Sequence, residues 1–133
     1  MSAEEVAKDI VDAAIKVHRA LGPGLLESAY QACLAHELRR RGRRVECEVA
    51  LPLEFEGVLI EVGYRIDMRV DQLVLVENKT VEKVLPLHLA QLLTYLKLSG
   101  LSLGLITNWN VILLREGLQR VVRNHPEELT TEH

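Results

Sequence analysis

The six residues Val74-Leu-Val-Glu-Asn-Lys79 constrain the fold of this 133-residue chain more than any other stretch. Leu73 to Val76 form an unbroken apolar run, which reads as a strand buried on both faces. Side chains alternate along a strand, so Glu77 and Lys79, two positions apart, project from the same side. Ending a buried strand in an acid and a base costs free energy that only a purpose offsets.

The rest of the chain reads as elements that surround this strand. Val6, Ile10, Ala13, Val17 and Leu21 recur at helical spacing and predict an amphipathic helix over residues 4–20. Gly22-Pro23-Gly24 interrupts it, and a second helix is expected to start near Pro23 and to stop at Gly42, with Leu26, Tyr30, Leu34 and Leu38 on one face. Val45, Cys47 and Val49 alternate with charged residues as a first strand. Pro52 and Glu56-Gly57 mark turns. From 58 to 70 the even positions (Val58, Ile60, Val62, Tyr64, Ile66, Met68 and Val70) are apolar, which predicts one half-buried strand, turned by Asp71-Gln72 into the strand at 73–79.

Pro86 opens a further helix, expected to run to Ser99 and to be stopped by Gly100. Leu103–Thr107 and Val111–Arg115 read as two more strands, with Val121-Val122 as a last edge strand. The polar tail from Asn124 is expected to be loose. The predicted class is α/β, in the order α-β-β-β-α-β-β. One domain spans 1–123, followed by a tail at 124–133.

Composition narrows the setting. Apolar residues are 48 % and charged residues 26 % of the chain, an ordinary globular balance, and scarce aromatics make the core aliphatic. No apolar run approaches the roughly 20 residues that cross a bilayer. The acidic Met-Ser-Ala-Glu-Glu start lacks a signal-peptide pattern, and Cys33 and Cys47 are too few for a disulfide framework, so a reducing, cytoplasmic setting is expected. A net charge of −3 argues against a surface that is basic all over. The block Arg39, Arg40, Arg41, Arg43 and Arg44 reads either as a solvated helix end or as a grip on phosphates.

Asp67 closes the run Gly63-Tyr-Arg-Ile-Asp, ten residues before Glu77. An Asp followed by Glu-x-Lys on adjacent strands outlines a magnesium-dependent phosphodiesterase site. Mg²⁺ takes oxygen ligands and keeps several waters, so one or two carboxylates hold it. Hydrolysis then needs an activated water and positive charge near the developing oxyanion. Hairpin arithmetic tests this. A two-residue turn at 71–72 would set Ile66 across from Glu77 and send Asp67 to the other side; an odd-length turn or a bulge is required to unite the acids. The same triplet also reads as an ordinary strand end with a Glu–Lys ion pair. Elsewhere, Glu27 suits a helix N-terminus, and His88, Gln91 and Tyr95 make a polar stripe on the later helix. His88 reads first as a structural residue of that helix start.

Taken together, the motifs resemble the GxxExxY family, a branch of the PD-(D/E)XK nuclease superfamily. Gly24-x-x-Glu27-x-x-Tyr30 matches the name-giving motif, Tyr64-Arg-Ile-Asp67 and Glu77-Asn-Lys79 match the acid and (D/E)-x-K elements, and Gln91-x-x-x-Tyr95 is similar to the helix motif that follows the lysine in RecB-like nucleases. The Gly104–Asn108 strand end and the Gly117–Arg120 segment also fit, so the likeness covers about residues 5–123. Ile66 stands where the superfamily pattern carries a proline. The resemblance implies a restriction-endonuclease-like core: a central mixed sheet flanked by helices. It implies that Asp67, Glu77 and the backbone carbonyl of Asn78 hold Mg²⁺, with Mn²⁺ as a substitute. Glu27 would assist, Lys79 would act at the nucleophile, and Tyr30, Gln91 and Tyr95 would shape the site or touch nucleic acid.

Two functions follow. One is a metal-dependent nuclease acting on DNA in preference to RNA, with a homodimer enlarging its small footprint. The alternative is a non-catalytic nucleic-acid- or protein-binding module on the same scaffold, dependent on Arg39–Arg44.

Overall fold

The computed structural model describes residues 1–61 and 63–126. Helix α1 spans Ala3–Leu21. The Ser2 hydroxyl accepts the Glu5 backbone N–H at 3.2 Å, Glu4 and Glu5 sit at the positive end of the dipole, and Arg19 lies in the last turn. Its Val6, Ile10, Ala13 and Val17 are buried, as the spacing predicts, whereas Leu21 at the end of the stripe is exposed.

Helix α2 spans Glu27–Arg40 and starts later than Pro23. Gly22 and Gly24 flank that proline at φ 70° and 101°, left-handed values that a right-handed helix cannot incorporate, so 22–26 is a loop. The helix ends two residues before Gly42, with Arg41 as its cap.

The central sheet has five strands in the order β1-β4-β5-β6-β7: β1 Val45–Ala50, β4 Arg65–Val70, β5 Val74–Lys79, β6 Leu103–Asn108 and β7 Leu118–Val122. Neighbours run antiparallel except β5 and β6, which are parallel because α3 (Pro86–Ser99) crosses between them. Pro86 and the left-handed Gly100 bound α3 where the sequence places them. This is the α/β architecture expected: a mixed sheet flanked by helices, with β7 at its edge.

Two expected strands are redrawn. The run 58–70 is broken: β3 (Val58–Ile60) pairs instead with β2 (Leu53–Phe55) in a separate hairpin, and the chain leaves strand geometry before β4. Of the even positions, Ile66, Met68 and Val70 are buried, whereas Val58 is 60 % exposed; Val62 lies outside the described residues. Residues 111–115 form no strand. The chain bends there into a short 3-10 turn, Leu114–Gly117, that buries Leu114. Gly117 passes so close to the end of β6 that a Cβ there would lie 2.1 Å from Asn108 O.

The sheet separates two apolar layers. Toward α1 and α2 lie Met68, Val70, Val74, Val76, Leu103, Leu105 and Trp109; toward α3 lie Ile66, Leu75, Leu92, Tyr95, Leu96 and Ile106. Gly104 lets α3 approach, since a Cβ there would meet Leu92 Cδ2 at 3.0 Å.

The arginine block is structural. Arg41 binds Glu37, Asp9 and Asp12, Arg43 binds Asp9 and Asp71, and Arg40 binds Glu37. Hydrogen bonds from Arg40 and Arg41 hold the Glu37 carboxyl down to about 2. The polar tail begins docked: His125 is buried, its ring bonded to Ser102 Oγ at 2.7 Å and to Glu4. Residues 127–133 lie outside the described residues. Among the described residues no helix is long and apolar enough to cross a membrane.

Candidate active site

The β4–β5 hairpin decides the site. Val70 pairs with Val74, leaving the three residues 71–73 in the turn. Asp71 and Gln72 take left-handed φ values of 51° and 55°. The Asp71 carboxylate is pinned by the Arg44 backbone N–H at 2.7 Å and the Arg43 guanidinium at 3.0 Å. An odd turn pairs Met68 with Val76 and brings Asp67 against Glu77.

The two acids hold each other's backbone. The Asp67 N–H donates to Glu77 Oε1 at 2.9 Å, and the Asn78 N–H donates to Asp67 Oδ2 at 2.8 Å. Side-chain bonds replace the ladder here, and β4 loses its alternation: Met68 packs toward α1 and α2, whereas Ile66 joins the cluster under α3. Lys79 Nζ lies 3.8 Å from Glu77 Oε2, so the acid and base project from one side as the spacing predicts.

Electrostatics mark the pair. Burial, followed by the negative charges of Glu27 and Glu48, pushes Asp67 up to about 6 against the pull of the Asn78 N–H. Burial and then the Asp67 charge push Glu77 up to about 7. The Tyr95 hydroxyl is raised by burial and then by the charges of Glu77 and Asp67, which places this residue beside the site.

Glu27, the exposed first residue of α2, acts on both carboxyls through its charge. Tyr30, expected to shape the site or touch nucleic acid, is fully buried and does neither directly. Its hydroxyl donates to Gly22 O and accepts the Leu25 N–H at 3.1 Å, closing the loop in which Gly24 sits. Gln91 is exposed and makes no hydrogen bond among the described residues. His88 caps α3, its Nδ1 accepting the Leu85 N–H at 2.9 Å, the structural role expected of it.

Three residues escaped the sequence reading. Gln31, one turn beyond Glu27, donates to Asp67 O at 3.4 Å and to Glu48 Oε2 at 3.3 Å; its helical spacing from Glu27 was the available signal. Glu48 sits at φ 54° opposite Asp67, a distortion no local motif announces. Trp109, within an apparent turn, donates its indole N–H to Asn78 Oδ1 at 3.0 Å. Glu27, Gln31, Arg39, Cys47, Glu48 and Asp67 line a groove of about 560 Å³ beside the carboxylates.

The donor set fits a hard divalent cation. Asp67 Oδ2 and Glu77 Oε1 are tied to backbone, leaving Asp67 Oδ1 and Glu77 Oε2 as oxygen donors whose mutual repulsion a cation relieves. The Asn78 side chain points into the core, so only its backbone is left to serve. Among the described residues no group of three or more His, Cys, Asp or Glu is arranged to hold a metal.

Neither the curated proteins nor the solved structures contain a match to this chain. A family model does match: that of the PD-(D/E)XK nuclease superfamily, over residues 4–121. With the Asp67/Glu77/Lys79 convergence on a mixed sheet, the restriction-endonuclease-like layout is complete, and the chain belongs to the PD-(D/E)XK nuclease superfamily.

Proposed function

We propose that this protein is a metal-dependent nuclease that hydrolyses phosphodiester bonds, DNA in preference to RNA, with Mg²⁺ as the ion and Mn²⁺ as a substitute. The observation that carries the reading is the reciprocal bracing of Asp67 and Glu77, with Lys79 Nζ 3.8 Å from Glu77 Oε2. A buried and a half-buried carboxylate with raised proton affinity and one nearby ammonium are a poor structural ion pair and a good cation site.

Asp67 Oδ1, Glu77 Oε2 and the Asn78 carbonyl would hold the ion. Once bound, it supplies charge for the scissile phosphate and lowers the pKa of a coordinated water. Lys79 orients the attacking water or offsets charge on the phosphate. Glu27, at the groove edge, assists at the same water. Tyr95 closes the side toward α3. Free Cys33 and Cys47 suit a reducing, cytoplasmic setting. A homodimer would enlarge the substrate footprint of so small a domain.

A binding module built on Arg39–Arg44 has less support, because Arg40, Arg41 and Arg43 are engaged by Glu37, Asp9, Asp12 and Asp71. The test is Mn²⁺ calorimetry on the wild type and Glu77→Ala, followed by cleavage of linear, nicked and branched DNA. Binding and cleavage that both vanish in the variant support the nuclease. Binding by neither protein removes it.

A further inference from the structure

The face of β5 behind the candidate site is aliphatic except at one position. Val74 and Val76 of β5 are buried toward α1 and α2, yet the next residue on that face is Asn78, fully buried. Its amide is satisfied by Trp109, whose indole N–H donates to Oδ1 at 3.0 Å, and by Gln31, whose Oε1 accepts from Nδ2 at 3.3 Å. Thr107, paired across from Asn78, offers no help: its buried hydroxyl has no hydrogen-bond partner among the described residues. An apolar side chain at 78 would fill this layer without any such arrangement.

Trp109 grips β5 twice. Besides its indole bond to Asn78, its backbone N–H donates to Lys79 O at 2.9 Å, extending the parallel pairing one residue past Asn108. It is itself held by two neighbours within the core. The Tyr30 ring stacks on it at 4.7 Å and 4°, His18 Nε2 meets its carbonyl at 3.2 Å, and the ring is fully buried. Trp109 thus holds Asn78 by its side chain and Lys79 by its carbonyl, and the N–H of that same Asn78 donates to Asp67 Oδ2.

We infer that Trp109 is a positioning residue for the nuclease site: it sets the orientation of the Asn78–Lys79 segment and, through Tyr30, couples it to the loop that presents Glu27. The inference rests on the proposed metal site for its functional consequence, although the geometry it describes exists without metal. Trp109 touches neither the ion nor the substrate.

The experiment compares wild type, Trp109→Phe and Leu103→Ala. Phe keeps a ring on Tyr30 but removes the donor to Asn78. Leu103, fully buried at the far end of β6, controls for general loss of core packing. Mn²⁺ affinity by calorimetry should fall about 10- to 100-fold in Trp109→Phe, as when an outer hydrogen-bond partner of a metal site is lost, and stay unchanged in Leu103→Ala. In metal-free protein, the Asn78 side-chain and Asp67 backbone amide NMR signals should shift in Trp109→Phe and not in Leu103→Ala. Equal Mn²⁺ affinity in Trp109→Phe and wild type would overturn the role, as would unshifted Asn78 and Asp67 signals. Failure of the wild type to bind Mn²⁺ would strike the metal reading alone, and the NMR comparison would then decide the positioning role by itself.

Discussion

Asp67 and Glu77 are each other's backbone caps: each carboxylate accepts a peptide N–H from the strand that carries the other, at 2.9 Å for Asp67 N–H to Glu77 and 2.8 Å for Asn78 N–H to Asp67. The arrangement leaves one oxygen of each acid uncommitted to backbone. It also means that neither acid can leave without stranding a backbone donor of the opposite strand.

Stability of the metal-free protein should fall as pH rises from about 4 through about 7. The folded-state values of about 6 for Asp67 and about 7 for Glu77 lie above their ordinary carboxylate values, so the native state keeps protons that the unfolded chain has already lost. The loss should total about 2–5 kcal/mol and level off above the Glu77 value. Denaturant melts across this range, with and without Mg²⁺, check it; the ion should flatten the slope. Below about 4.5 the trend reverses, because Glu4, hydrogen-bonded by Arg120, is held at about 2 and its contribution is lost as it protonates.

Glu77→Gln should separate stability from activity. Removing the more strongly perturbed acid should stabilise the metal-free protein at pH 8 by about 1–3 kcal/mol, while cleavage drops at least about 100-fold. Paired thermal melts and DNA cleavage assays measure both. A variant that loses stability at that pH would contradict the burial argument.

Lys79→Ala should lower cleavage by roughly 10²–10⁴-fold with Mn²⁺ affinity nearly retained, since the ammonium acts on water or phosphate rather than as a ligand. Calorimetry beside single-turnover kinetics separates the two quantities. A parallel collapse of Mn²⁺ binding would assign Lys79 a structural role instead.

Tyr30→Phe should cost about 1–2 kcal/mol, since the Leu25 N–H and the Gly22 carbonyl both lose their partner. Its effect on cleavage should be modest and should disappear in a Glu27→Ala background, because the loop matters to the site through Glu27. A double-mutant cycle on cleavage rate reads this coupling.

As the protein's single tryptophan, Trp109 offers a direct optical report. Its bond to Asn78 should make emission respond to Mg²⁺, with saturation at the calorimetric affinity and no response in Glu77→Ala. Fluorescence titration in both proteins is the check.

Much of this was legible in the sequence because it rests on local patterning. The buried run ending in Glu77 and Lys79, the helix between Pro86 and Gly100, and the α1 stripe all carry their signal in adjacent residues. What escaped depends on distant partners. Alternation over 58–70 suggested one strand, yet β3 pairs with β2 and leaves β4 separate, which only tertiary pairing decides. Glu48 and Trp109 reach the site through register and packing, so neither carries a motif. The arginine block looked like a surface feature until Asp9, Asp12 and Asp71 arrived from elsewhere in the chain.

The turn at 71–73 has a consequence for how this chain tolerates change. Its side chains contribute little to the catalytic chemistry, but its parity is what keeps an acid of one strand beside an acid of the next. Substitutions there should be forgiven, with Asp71, the anchor for Arg43 and Arg44, costing stability only. Removing one residue from that turn should abolish the proposed cleavage with every candidate catalytic side chain still present. The count of residues in this bend is, on the proposed reading, as much a part of the candidate site as any side chain in it.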